Sequence, residues 1–453
     1  NKDGFDPGPL DGGDYWMAAA YLARWSGPVS EADDPYQPNS AVSPANLPCR
    51  RHVQDVTYLP KRTSYTDNAV VKQFIMTRGA LYCGMNWKDS YMNWATFAMY
   101  NPTTNLGAGH AVAVIGWNDA YAAANFPTPP PGPGAFLIRD SEGTSFLPEG
   151  CFWISYYDKS LCDFACFART EALTNYSKQY SYDPLGWVNE GSITGGVRRP
   201  YFANIFRKGT TAESLRAVAT HATAANTHYE LKVYRNPTTS PVHGSPVATQ
   251  TGAFTYAGFH TVVLSTPVTL AAADKSFSVV FRVTNPGTTY LIPLEYAYAG
   301  YSSKATAATG QSYYSSTGTT WTDATTWKKT CNVCVKAYTN PVLSASAPAD
   351  PALSLAGLTA TETAGGGGAV VFTLSAPAVV EARVLNLAGR TVRPLCEGST
   401  CKRGTNTLLW DGRNQTGART PSGTYLVEVQ ARSANGTTRR ALTTMPVAAG
   451  QTR

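Results

Sequence analysis

Apolar residues recur at near-helical spacing in two early stretches, WMAAAYLARW (residues 16–25) and DNAVVKQFIMTRG (67–79), which predict helices. ALYCGMNW (80–87), GHAVAVIGW (109–117), AFLIRDS (135–141) and CFWISYYD (151–158) are short apolar runs bounded by turn residues, and predict strands. From about Asn175 to Asn340 the helical period is gone. YELKVYRN, HTVVLSTPVTL, FSVVFRVTN, TTYLIPLEYAY and CNVCVKAYTN are separated by Gly, Pro, Asn and Thr turns, the pattern of a β-sandwich. SASAPADPAL is a small-residue, Pro-bearing linker. Beyond it, GAVVFTL, TNTLLWDGRN, GTYLVEVQARS and TRRALTTMPV alternate with the turns AGR, DGRNQTG and PSG at the spacing of a small Ig-like sandwich. The expected organisation is therefore an α+β region at 1–174, a β-sandwich at 175–341, a linker at 342–353 and a smaller sandwich at 354–448.

Bulk properties narrow the partners. A chain of 453 residues exceeds one ordinary core, in keeping with several domains. The net charge of +7 comes from scattered residues, without a Lys/Arg run or basic helix face, which argues against nucleic acid and supports a weak attraction to anionic cell-surface polymers. No apolar stretch reaches the roughly 18 residues that a membrane span needs. The opening NKDGFDPGP has neither an initiator Met nor a signal pattern, and reads as the inside of a longer protein.

Nine cysteines with close pairs at Cys162/Cys166, Cys331/Cys334 and Cys396/Cys401 suggest an oxidising compartment, with disulfides or buried thiols. A zinc site at CNVC lacks a second pair and a histidine at metal spacing, so no metal is expected. An odd count leaves at least one thiol over, and Cys49, in a Pro-flanked loop, is the candidate for a tie outside the chain.

One polar ring heads an apolar run in LGAGHAVAVIGWND (106–119). His110 follows Gly109 and precedes Val112 and Val114 on its own face. By itself such a histidine is more often a core or turn residue than a catalyst. The loop PTPPPGPG (127–134) must reverse the chain. If the flanking strands pair antiparallel, the start of the first meets the end of the second, which brings His110 beside Arg139, Asp140 and Ser141. An Asp140–His110 hydrogen bond would orient the imidazole; pairing of Asp140 with Arg139, or a turn cap, is the alternative.

The order of these segments resembles papain-like cysteine peptidases of secreted bacterial type. DGGDYWMAAAYLARWSGPVSEADDPY (11–36), GHAVAVIGW and GAFLIRDSEGTSFLPEGCFWISYYD (134–158) carry the likeness. YFANIFRK, YELKVYRN, AGFHTVVL, GQSYYSSTGTTWTD and NVCVKAYTN are similar to the lectin-like domain of such proteins. VLNLAGRTVRPL, WDGRNQTG and PSGTYLVEV resemble a FlgD-type Ig-like domain. The implied fold class is multidomain: the C-terminal portion of a papain-like α+β domain, a lectin-like β-sandwich, then a small Ig-like β-sandwich.

What the resemblance implies is peptide-bond hydrolysis by an exported or cell-surface bacterial enzyme, without a cofactor. His110 and Asp140 would be catalytic, and Gly12, Gly13 and Gly109 would line the substrate. Two departures stand out. The family's nucleophile segment has no counterpart here, so the cysteine is expected upstream of residue 1, with this chain inactive by itself. RDSEG puts Asp140 in the place of the usual asparagine and Glu142 in that of a tryptophan. Cys83 and Cys151 sit in apolar strand patterns and are expected to be buried structural thiols. Implied partners are a peptide, the upstream portion of the same protein and cell-surface glycans. A catalytically degenerate surface scaffold and a glycan-binding adhesin remain the rival readings.

Overall fold

The structure, a computed structural model, describes residues 4–8, 11–37, 42–103, 109–342, 353–363, 366–434 and 436–448. Most of the predicted linker, and the Gly107–Ala108 part of the histidine segment, lie outside the described residues. The chain divides into two compact units, Asn1–Val342 and Leu343–Arg453.

In the first unit the helix α1 (Tyr15–Ala23) starts where the Asp14 carboxylate accepts the Met17 N–H at 2.8 Å. Its small residues Ala19 and Ala23 are buried against Val53, Val56 and Tyr58 of the strand His52–Tyr58. Helix α2 (Ala69–Arg78) buries Val71 and Phe74 in a core with Leu81, Val114, Phe136, Ile138 and Ile154. Both helices fall within two residues of the periods in the sequence.

The strands Cys151–Ser155, Ala135–Arg139, His110–Asn118, Leu81–Met85, Cys162–Glu171 and His52–Tyr58 lie side by side in that order within a 12-stranded sheet. The Pro-Gly loop makes an antiparallel hairpin, with Ala113 opposite Arg139 and Asn118 opposite Ala135. Period-2 burial follows: Val112 and Val114 point inward while Ala111 is exposed.

That sheet does not stop where the sequence changes texture. His52–Tyr58 pairs antiparallel with Ala257–Leu270, setting Asp55 opposite His260 and Val56 opposite Phe259. Gly258, opposite Thr57, has φ +134°, and a Cβ there would stand 1.9 Å from the Val56 carbonyl oxygen. Only glycine tolerates both the backbone conformation and the approach. Glu213–Ala222, Val335–Pro341 and Lys178–Tyr180 continue the sheet. A separate six-stranded sheet packs on this half through Phe202, Phe206, Phe277 and Phe281 against Leu215, Val218, Val262 and Val335. The regions expected to part at residue 174 thus share one sheet and one compact unit.

The second unit is a sandwich of a three-stranded sheet (Leu355–Thr363, Gly367–Leu374, Gly404–Trp410) and a four-stranded one (Thr391–Cys401, Ala378–Leu385, Gly423–Arg432, Thr438–Val447). Val370, Phe372, Val380, Val384, Trp410, Val427, Val429 and Met445 fill it.

All nine cysteines are free thiols, so of the two readings their spacing left open, disulfides or thiols, the structure has the thiols. Cys162 and Cys166 lie on one strand, as do Cys396 and Cys401. Four or five extended residues span more than about 10 Å, while a disulfide needs Cα atoms within about 7 Å. Cys331 and Cys334 are both buried thiols, and burial pushes Cys331 up to about 12.

Candidate active site

Strand register builds the site. Met85 lies opposite His110, so the end of Leu81–Met85 and the residues after it flank the imidazole. On the other side the hairpin returns at Arg139, and the Asp140 N–H donates to the Gly150 carbonyl at 2.9 Å, which fixes the turn. His110 Nε2 stands 3.1 Å from Asp140 Oδ2. A carboxylate only accepts, so Nε2 is the protonated nitrogen in this bond. The other oxygen, Oδ1, accepts the Glu142 N–H at 3.1 Å. Both carboxylate oxygens are therefore used by N–H donors. The Asp140 side chain is 1% exposed and that of His110 26%. Burial of the anion with an open imidazole leaves His110 Nδ1 without a hydrogen-bond partner among the described residues.

Aromatic rings cover one flank. Trp87 meets His110 edge to face at 6.4 Å between centroids, and packs on Phe152 at 5.3 Å and Phe146 at 5.8 Å. The Trp87 Nε1–H donates to Asp89 at 2.8 Å, which fixes the indole. Sequence reasoning passed over Trp87. The signal was present, because it ends the strand run that pairs with the histidine strand. Glu142 is exposed, and its carboxylate makes no ion pair with His110 among the described residues.

The other predicted residues sit as follows. Gly109 donates its N–H to the Met85 carbonyl at 3.0 Å, and a Cβ there would meet only Asn86 Nδ2 at 3.5 Å. Gly12 and Gly13 are exposed just ahead of Asp14, with open space around Gly12. No described contact joins them to the His110–Asp140 pair.

Among the described hydrogen bonds, those of Cys83, Cys151 and Cys162 go to backbone carbonyls and not to His110. Cys83 is fully buried, and burial pushes its thiol well above the usual range. Burial and the neighbouring Asp163 carboxylate push Cys162 up to about 12. Cys151, expected to be buried, is only half-buried, because it begins its strand beside the Glu149 turn whose carbonyl its Sγ meets at 3.4 Å. A thiol of raised pKa is a poor nucleophile at neutral pH. Among the described residues no group of His, Cys, Asp and Glu is arranged to hold a metal ion.

Comparison with known proteins bears on this geometry. Residues 9–172 match the family model described as papain family cysteine protease. The amino-terminal region is a papain-like domain. Behind it, residues 179–339 match the lectin-like domain and residues 357–435 the FlgD Ig-like domain, so the chain is multidomain with all three in that order. Among solved structures it is similar to the clostridial cysteine protease Cwp84 after propeptide cleavage, at 25% identity and a TM-score of 0.66, over 75% of this chain and 85% of that one. It is likewise similar to the cysteine protease and lectin-like domains of Cwp84, a surface layer associated protein of Clostridium difficile. There the identity is 25% and the TM-score 0.64, over 75% of this chain and 76% of that one. No curated protein matches the sequence. Among the described residues no helix is long and apolar enough to cross a membrane.

Proposed function

We propose that the papain-like domain hydrolyses peptide bonds with a thiolate–imidazolium pair, in which His110 and Asp140 are the residues of this chain and the cysteine comes from outside these 453 residues. The observation that carries it is the His110–Asp140 bond through Nε2, which leaves Nδ1 free to face a thiol. In the thiolate form, the proton taken from the cysteine rests on the imidazole. Attack of sulfur on the scissile carbonyl gives an acyl-thioester, and His110 passes its proton to the departing amine. His110 then takes a proton from water, whose oxygen displaces the sulfur and releases the acid. Asp140 holds the ring and stabilises its charged form. Trp87, packed on Phe146, covers that flank of His110 and keeps water from it.

Gly12, Gly13 and Gly109 are assigned to the substrate side, the first two as an exposed backbone edge along which an extended peptide can pair. The domain limits at 174, 341 and 353 and an exported, surface-facing location belong to the same reading. So does a glycan partner for the lectin-like domain.

The experiment is labelling with an epoxysuccinyl thiol reagent. The 453-residue chain takes up no label. When the upstream cysteine segment is supplied, one cysteine in it is labelled, and His110→Ala abolishes the reaction. Stoichiometric labelling of Cys83 or Cys151 in this chain, lost in His110→Ala, would overturn the assignment of the nucleophile.

A further inference from the structure

The lectin-like region also reaches the Gly12–Gly13 edge assigned above to the substrate. Its loop at 297–306 ties the chain on either side of that edge. Ahead of the edge, the Asp6 N–H donates to the Tyr301 carbonyl at 2.7 Å. The Asp6 carboxylate accepts the Ser303 N–H at 3.1 Å and the Ser303 hydroxyl at 2.5 Å. Phe5 meets the Tyr301 ring edge to face at 5.0 Å. Behind the edge, the Tyr301 hydroxyl donates to Asp14 Oδ2 at 2.9 Å. Asp14 Oδ1 is the oxygen that caps α1 through the Met17 N–H. One carboxylate therefore joins the start of the helix to the lectin-like loop.

The loop is itself held from the lectin-like core. Ser302, fully buried, donates its hydroxyl to the Tyr296 carbonyl at 2.8 Å, and the buried Asn332 amide donates to that of Thr306 at 2.9 Å. Phe5, Ala20, Leu185 and Ala305 form a small buried cluster against which the Tyr301 ring packs. Burial and the Asp14 carboxylate hold the Tyr301 phenol well above its usual range, so it stays a donor at neutral pH. A hydrogen bond to a charged acceptor is shorter and stronger than one between neutral groups.

Between these ties Gly12 and Gly13 are exposed, with open space around Gly12. A backbone edge pairs with a peptide only in one orientation, and ordering a loose edge at the moment of binding costs affinity. We infer that Tyr301 of the lectin-like region is a positioning residue for the peptidase, which presets the Gly12–Gly13 edge by holding Asp14 behind it and Asp6 ahead of it. This role rests on the peptidase reading above, and it makes the lectin-like region a part of the substrate edge.

The test compares two substrates of the protein with its upstream cysteine segment supplied. One is a blocked hexapeptide with the scissile bond at its centre. The other is p-nitrophenyl acetate, which has no peptide group to pair with an edge. Tyr301→Phe keeps the ring and removes the hydroxyl. It is expected to raise KM for the hexapeptide about fivefold, the effect of one hydrogen bond. The kcat should stay within about twofold, and hydrolysis of the ester should be unchanged. Asp14→Asn still caps the helix through its amide oxygen and offers an N–H to the Tyr301 oxygen, so it should lose less than Tyr301→Phe. Equal losses on both substrates mean that Tyr301 only supports the fold, and overturn the role. So does an unchanged KM for the hexapeptide. Ester hydrolysis that survives His110→Ala would instead break the peptidase reading, and this role with it.

Discussion

Two histidine–aspartate pairs of nearly equal length sit in this chain, and they differ in which partner is buried and in what the second ring nitrogen meets. His110 and Asp140 are 3.1 Å apart; His260 and Asp55 are 3.2 Å apart. At the first, the carboxylate is buried and the imidazole open, with Nδ1 unengaged among the described residues. At the second the order is reversed. His260 is 10% exposed and Asp55 27%, and both ring nitrogens are occupied: Nδ1 by Asp55 and Nε2 by the Tyr256 carbonyl at 2.9 Å. Phe254 stacks on the ring at 4.8 Å. The second pair joins the papain-like and lectin-like strands, and lines a cavity of about 480 Å³ with Arg78, Arg169 and Tyr229. Distance alone does not identify a catalytic histidine. What separates the two rings is the second nitrogen, unengaged among the described residues at His110 and occupied at His260.

The sharpest way to break this comparison is to exchange the losses. In the thiol-bearing protein, His110→Ala should lower kcat/KM by about a thousandfold or more, the usual worth of a general acid–base group, with unfolding free energy within about 1 kcal/mol. His260→Ala should do the opposite. It removes a buried ring and strands Asp55, costing about 2 kcal/mol after allowance for the exposed carboxylate, while kcat/KM stays within about threefold. Urea unfolding and peptide hydrolysis on the same samples read both. A large kinetic loss in His260→Ala without loss of stability would erase the distinction.

The aspartates sharpen it further. Asp140 accepts two N–H donors, from His110 and from Glu142, whereas an amide offers one oxygen. Asp140→Asn must sacrifice one of the two bonds, worth about 1 kcal/mol, so activity should fall about fivefold; Asp140→Ala removes both and should fall further. Asp55 faces His260 and the Thr57 hydroxyl at 3.2 Å, and a hydroxyl can turn to accept instead of donate. Asp55→Asn should therefore change stability by less than about 1 kcal/mol. Full activity in Asp140→Ala would remove Asp140 from the site.

Sequence made the first pair legible and hid the second. The hairpin that brings Asp140 to His110 is local, 30 residues of chain closed by a Pro-Gly loop, and period 2 sets which side chains share a face. Asp55 and His260 are 205 residues apart, and no local pattern encodes which strand edges meet across such a distance. His260 is a buried residue within the strand Ala257–Leu270. Gly258 in AGFHTVVL was the trace of that junction, and it has meaning only once Val56 is known to lie against it. The cysteine spacings could not separate disulfide from thiol for the converse reason. Close in sequence, they are held apart by extended chain.

A third histidine supplies the smallest effect and the limiting case, a ring without any carboxylate. His221 is buried, with neither nitrogen hydrogen-bonded among the described residues, 5.2 Å from the Phe259 ring and 6.1 Å from Trp187. Burial, with Lys336 and His260 nearby, holds its pKa well below the usual 6.5. The folded protein therefore keeps His221 neutral where the unfolded chain protonates it. The unfolded state binds more protons below about pH 6.5, so stability falls as pH drops through that value and continues to fall until the depressed folded pKa is reached. The slope approaches about 1.4 kcal/mol per pH unit once the unfolded histidine is protonated, so the step from pH 6.5 to 5.5 should cost about 1 kcal/mol from this residue. His221→Phe, a ring of similar size without a titrating group, should lose that component. The difference in unfolding free energy between variant and wild type should then move in favour of the variant by about 1 kcal/mol over that step. A difference that stays constant from pH 7.5 to 5.5 would mean that His221 takes up its proton as readily in the fold as out of it.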